Sequence, residues 1–173
     1  GQPPRIETFQ SRSRPSQSRW DLQPLWDCPQ ADGHPGPALD DPWGARHRPD
    51  WAARGLVIWP RGGQWRFLTL SLACPEAWRQ LQVPVAVAQA RLVLRWWADQ
   101  VELRVDGQPV HAGDLFDTAC RWVLPQRWWQ GEVLHLELRL RSPLHDDGAL
   151  IASRLELEPL DPVSYTHLTL PTT

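Results

Sequence analysis

Methionine is absent from this 173-residue sequence, and so are lysine and asparagine, which leaves arginine to carry all 18 of its basic charges. That bias leads us to expect a fragment encoded in a GC-rich genome. A basic stripe is missing too. The formal net charge is −2, and nothing concentrates the positive charge that neutralises phosphates, so no nucleic acid is expected as partner. No apolar run approaches the roughly 20 residues that span a bilayer, and the first residues carry arginines without the apolar stretch of a signal peptide. No membrane partner and a cytoplasmic location are therefore expected. Cysteine is sparse: Cys28, Cys74 and Cys120 stand far apart, odd in number and without a CxxC pair. Neither a zinc knuckle nor a disulfide framework fits that spacing, and reduced thiols are expected.

What the chain has in surplus is tryptophan, 12 residues of it, together with 18 prolines. A core of this size does not need so many indoles, and tryptophan is the side chain that most often stacks on sugars or covers a domain contact. The length suits one domain. Residues 1–19 are rich in arginine, serine and proline and read as flexible, or as a short helix around Ile6–Phe9. Residues 20–162 are expected to form the folded domain. It opens on a long wrapping segment, Trp20–Trp51, dense in Pro, Gly and Asp and with one strand at Asp21–Trp26. The tail Val163–Thr173 holds the only tyrosine and breaks with the preceding composition. It resembles the in-frame translation of a sequencing-library adapter and is expected to be non-native.

Short runs at sheet period follow the wrapping segment: Gly55–Trp59, Trp65–Leu72, Ala90–Trp97 and Gln100–Gly107, each bounded by Pro, Gly or Asp. The run Glu132–Ser142 alternates most cleanly. Leu134, Leu136, Leu138 and Leu140 share one face, and His135, Glu137, Arg139 and Arg141 share the other. Asp106-Gly107 suits a two-residue type I′ turn that pairs Val101–Val105 with the segment around Val110. Only Cys74–Gln82 reads as helical, with Pro75 at its start and Glu76 at the positive end of the dipole. Many short strands without a long amphipathic helix predict an all-β fold, an antiparallel two-sheet β-sandwich of jelly-roll type.

Trp96-Trp97-Ala98-Asp99, Val105-Asp106-Gly107, Gly113-Asp114-Leu115-Phe116-Asp117, and Ser142-Pro143 with His145 to Leu150 and Ser153-Arg154-Leu155 together form a pattern. It resembles the N-terminal β-sandwich region of bacterial, notably cyanobacterial, α-mannosidases of glycoside hydrolase family thirty-eight, over Arg91 to Pro159. The rhythm of Val105 to Asp117 also looks like the galactose-binding-like jelly rolls that precede many glycosidase barrels. The resemblance implies a non-catalytic accessory domain that packs against and supports a catalytic domain of the same parent chain. That parent would hydrolyse terminal α-mannosides with an aspartate nucleophile and a zinc ion, both held outside this region. No catalytic residue, metal ligand or cofactor is therefore expected here. The alternative is a carbohydrate-binding module that holds mannose-containing glycans on exposed tryptophans.

Among individual residues, His145-Asp146-Asp147 has metal-ligating types but comes from a single turn, whereas zinc needs three or four ligands at fixed separations. The simpler reading is a turn. Asp146 and Asp147 bond its amides, Gly148 supplies an unusual dihedral, and Arg154 or a neighbouring arginine pairs with a carboxylate. In the same way Asp114 and Asp117 are expected to cap a turn that inserts Leu115 and Phe116 into the core. No serine lies in a GxSxG elbow. Adjacent strand residues point to opposite faces, so one of Trp96 and Trp97 must face outward. Trp128 and Trp129, in an expected loop, raise the same question. These four indoles, with His145, Asp146, Asp147 and Arg154, are the candidate interdomain or glycan contacts.

Overall fold

A computed structural model describes residues 13–16, 18–29, 41, 43–80 and 88–159. The helix expected at Ile6–Phe9 and the tail Val163–Thr173 lie outside the described residues. Nine strands are described: β1 (Arg19–Asp21), β2 (Val57–Trp59), β3 (Trp65–Leu72), β4 (Ala88–Trp97), β5 (Gln100–Val105), β6 (Gln108–Gly113), β7 (Ala119–Val123), β8 (Leu134–Arg141) and β9 (Gly148–Pro159). One sheet runs β2-β9-β4-β7, with β1 also on β9, and the other runs β3-β8-β5-β6. All the pairings are antiparallel. From β2 to β9 the chain crosses between the two sheets at every connection except the β5–β6 hairpin, the order of a double Greek key, so the sandwich is a jelly roll.

The leucine run of β8 explains why the sheets close. Leu134, Leu136, Leu138 and Leu140 are almost wholly buried and stand in register with the inward residues of β3 and β5, for example Leu68 and Leu103 on either side of Leu138. Each buried leucine contributes roughly 1.5–3 kcal/mol relative to leaving it in water. At the β5–β6 hairpin both turn residues have positive φ, Asp106 at 50° and Gly107 at 82°, the type I′ geometry that follows the sheet's twist. The Asp106 carboxylate accepts from His135 N at 3.0 Å and from Arg127 Nη1 at 2.7 Å.

Two local expectations fail for reasons that the sequence contains. The strand expected over Asp21–Trp26 stops at Asp21, because its Oδ1 accepts from Gln23 N at 3.1 Å and turns the chain into a single 3-10 turn, Gln23–Leu25, with Pro24 inside it. Within Cys74–Gln82 the helix α2 spans Glu76–Arg79, and Leu81 and Gln82 lie outside the described residues; α1 (Pro49–Ala53) and α3 (Gln126–Trp129) are additional. Each of the three begins at or just after a proline, whose fixed φ presets the first turn.

The irregular N-terminal part has a structural task. β1 and β2 lie end to end along one edge of β9, at Arg154–Glu156 and Gly148–Leu150. Buried Gln23 fills the gap between them. Its Nε2 donates to Gly55 O at 2.8 Å and Leu150 O at 3.0 Å, and its Oε1 accepts from Ser153 Oγ at 2.7 Å. Ser153 Oγ in turn accepts from Trp26 Nε1 at 2.8 Å. On the outer side of this sheet, Ala52 and Leu56 of the α1 segment cover Ile58 and Ala149 in a small second core, with Trp51 and Ile151 packed against it.

Candidate functional site

The edge of that second core is where the sequence candidates converge. Asp147 begins the approach to β9 and is 4% exposed. Its turn does not satisfy it: the partners come from two distant segments instead. His47 Nε2 lies 3.1 Å from Oδ1, Arg48 Nη1 lies 3.3 Å from Oδ2, and Arg61 donates both its backbone N–H (3.2 Å) and Nε (3.3 Å) to Oδ1. Burial pushes this carboxyl up, but the hydrogen bonds from His47, Arg61 and Arg48 outweigh it and hold it at about 2. Asp147 is therefore a fixed anion at neutral pH and has no proton to give as a general acid. Arg61 Nη1 also donates to His145 O at 2.7 Å, which ties the turn to the loop after β2. His145 and Asp146 themselves are exposed.

Gly148 corrects a second expectation. Its φ is not positive; glycine is needed for space, since a Cβ there would lie 2.6 Å from the Trp59 ring and 2.9 Å from Ser142 Cβ. Of the two partners expected for the turn, Arg154 or a neighbouring arginine, Arg154 is not the one: its Nε pairs with Glu156 at 2.6 Å, and it lines a different depression with Arg14, Arg19 and Asp21. The aspartate turn is met by Arg48 and Arg61, arginines that no local pattern singles out.

Beside Asp147 lies an open cleft of about 530 Å³. Its apolar lining is Trp51, Leu56, Trp97, Ala149 and Ile151, and its charged lining is Arg48, Arg54, Arg61, Asp146 and Asp147. Trp96 and Trp97 divide as strand geometry requires: Trp96 is 1% exposed in the core and Trp97 is 37% exposed. The Arg48 guanidinium sits 3.5 Å from the Trp51 ring centroid, a cation–π stack that holds it at the wall. Arg54 and Asp146 have no side-chain partner among the described residues.

Trp128 and Trp129 are not surface contacts. They lie on α3 rather than in a loop and are buried. Trp128 packs edge-on against Trp78 and Trp129 at 6.3 and 5.2 Å, and its Nε1 donates to Leu72 O at 3.2 Å.

The aspartate loop after β6 is half as expected. Asp114 Oδ1 accepts from Phe116 N at 2.8 Å and Asp117 N at 2.9 Å, which holds its carboxyl below the usual range. Asp117 O accepts from Asp114 N at 3.1 Å, and Trp96 Nε1 donates to Asp114 O at 3.2 Å. Neither apolar residue enters the core, however: Leu115 is half-buried and outside the core cluster, and Phe116 is 99% exposed, because the clamp turns its side chain away from the sandwich. The Asp117 carboxylate bonds no turn amide; His111 Nε2 stands 3.8 Å away.

Among the described residues no group of three His, Cys, Asp or Glu could hold a metal ion. The cysteines are free, and burial pushes the Cys74 and Cys120 thiols up to about 12 and 11, where they are poor nucleophiles at neutral pH. Among the described residues no helix is long and apolar enough to cross a membrane.

No family model matches the chain, and no curated protein matches it. Among solved structures it is similar to a β-glucuronidase, a glycoside hydrolase, from an uncultured Clostridium sp.. Sequence identity is 10% and the TM-score 0.43, over 86% of this chain and 30% of that one. This chain thus spans less than a third of that protein's length.

Proposed function

We propose that this chain is a non-catalytic accessory β-sandwich of a glycoside hydrolase, an α-mannosidase on the resemblance of its motifs, and that it docks on its catalytic neighbour through the Phe116 tip. The observation that carries this reading is a phenyl ring 99% exposed on a clamped loop. A phenylalanine left in water contributes nothing to this domain's own stability, whereas burying it in an apolar socket is worth roughly 1.5–3 kcal/mol. Because Asp114 already fixes the turn, little ordering entropy is lost on docking. Zinc and the nucleophilic aspartate would belong to the neighbour. Three of its carboxylates serve turns and ion pairs: Asp114 caps amides, Asp106 holds a hairpin, and Asp147 is tied to His47, Arg48 and Arg61.

A second reading, glycan binding, is favoured by the cleft at Trp97. There an exposed indole and, among the described residues, an unpartnered guanidinium and an unpartnered carboxylate line one concavity, the combination that stacks a sugar ring and orients its hydroxyls.

Calorimetry of the full-length parent carrying Phe116→Ser tests the first reading. The variant is expected to uncouple the sandwich from the catalytic domain, splitting one unfolding transition into two or lowering the first. An unchanged thermogram contradicts docking through this residue.

A further inference from the structure

Resting on the reading of the Trp97 cleft as a saccharide site, we propose that its ligand is an acidic sugar, a uronic acid unit held by its carboxylate on Arg54 with its ring on Trp97. The guanidinium of Arg54, unpaired among the described residues, carries the step. Three guanidiniums line it, those of Arg48, Arg54 and Arg61, against two carboxylates, Asp146 and Asp147. Asp147 is already paired with Arg48 and Arg61 and hydrogen-bonded by His47, and Arg48 is also 3.6 Å from Asp50. Arg54 is left as a cation without a carboxylate among the described residues. A neutral sugar would leave it unmatched; a carboxylate completes the planar fork that a guanidinium offers. Asp146, on the same cleft, accepts hydrogen bonds from ring hydroxyls. The indole of Trp97 gives the apolar surface that a pyranose C–H face needs.

The geometry also separates the site from the fold. Arg54 is exposed and bonds only through its backbone N–H, to Trp51 O at 3.0 Å, so removing its charge leaves the packing intact. Its positive charge costs little in water and becomes useful when an anion is brought beside it in a partly apolar cleft.

The test is a calorimetric titration of this chain with trigalacturonic acid, with the methyl ester of the same trisaccharide, and with mannotriose. The acid is expected to bind saturably, with the methyl ester and mannotriose at least tenfold weaker. Arg54→Gln should weaken the acid about tenfold, the size of one charge-assisted contact, without weakening the ester. Trp97→Ala should weaken the acid and the ester alike, with circular dichroism confirming an unchanged fold. Equal binding of acid and ester overturns the acidic preference while keeping the saccharide site. Binding of the acid that survives Trp97→Ala and is displaced by acetate marks a plain anion site and overturns the sugar. No binding of any saccharide overturns both this inference and the reading beneath it.

Discussion

Arg61 and Asp147, 86 positions apart, meet twice at a single oxygen: the backbone N–H of Arg61 donates to Asp147 Oδ1 at 3.2 Å and its Nε donates at 3.3 Å. With His47 and Arg48 on the same carboxylate, this one buried group fastens the wrapping segment and the loop after β2 to the start of β9.

Acid should therefore loosen that corner first. The Asp147 carboxyl is lowered from 3.8 to about 2, so it binds its proton more weakly folded than unfolded. Its contribution is complete above the unfolded value and is lost as pH falls from about 4 towards 2. It amounts to on the order of 2 kcal/mol. Urea unfolding between pH 5 and 2 should show this slope in the wild-type chain and a flatter one in Asp147→Asn. Equal slopes would contradict the assignment.

Gln23 should behave as a core residue despite its polarity. Gln23→Leu leaves Ser153 Oγ and the carbonyls of Gly55 and Leu150 without its hydrogen bonds, at a cost of roughly 1–3 kcal/mol. Chemical denaturation reads the loss directly; a variant as stable as the parent would show that the gap between β1 and β2 needs no bridge.

Gly148→Ala should destabilise by about 1–3 kcal/mol through overpacking, because the added Cβ meets the Trp59 ring and Ser142 Cβ in a wall with no room to retreat. A crystal structure of the variant should show Trp59 displaced, and an unmoved ring at unchanged stability would refute the close-approach argument.

Arg66 gives a prediction of the opposite sign. Its guanidinium is fully buried, and among the described residues none of its three nitrogens has a hydrogen-bond partner. Burial lowers its pKa, and the Asp41 carboxylate acts against that. Replacing a buried, poorly paired charge by an apolar side chain of similar length often stabilises by about 1–4 kcal/mol. Arg66→Met is thus expected to raise the denaturation midpoint, and a lowered midpoint would show that the charge is matched.

The sandwich was legible because its signal is local. Alternation in Leu134–Leu140 and Val101–Val105, and the Asp106-Gly107 turn, each need only neighbouring residues, and the structure places all of them as the period demands. β7 escaped notice although Cys120 faces inward between exposed Ala119 and Arg121, since five residues with a single buried position carry little periodic signal. The cleft was half legible. Trp97 and the aspartates stood out by type, whereas Arg48, Trp51, Arg54 and Arg61 come from an irregular stretch whose relation to β9 is set by tertiary contacts alone. Phe116 was misjudged for a related reason. Hydrophobicity argues for burial, and only the Asp114 clamp, a three-dimensional feature, shows that the ring is turned outward.

The docking role of Phe116 is tested most directly by photocrosslinking in the full-length parent, with Phe116 replaced by p-benzoylphenylalanine. Irradiation followed by peptide mapping should give one dominant intramolecular crosslink from position 116 to an apolar segment of the catalytic domain. A ring that reacts only with solvent, or with peptides of the sandwich itself, would contradict the account.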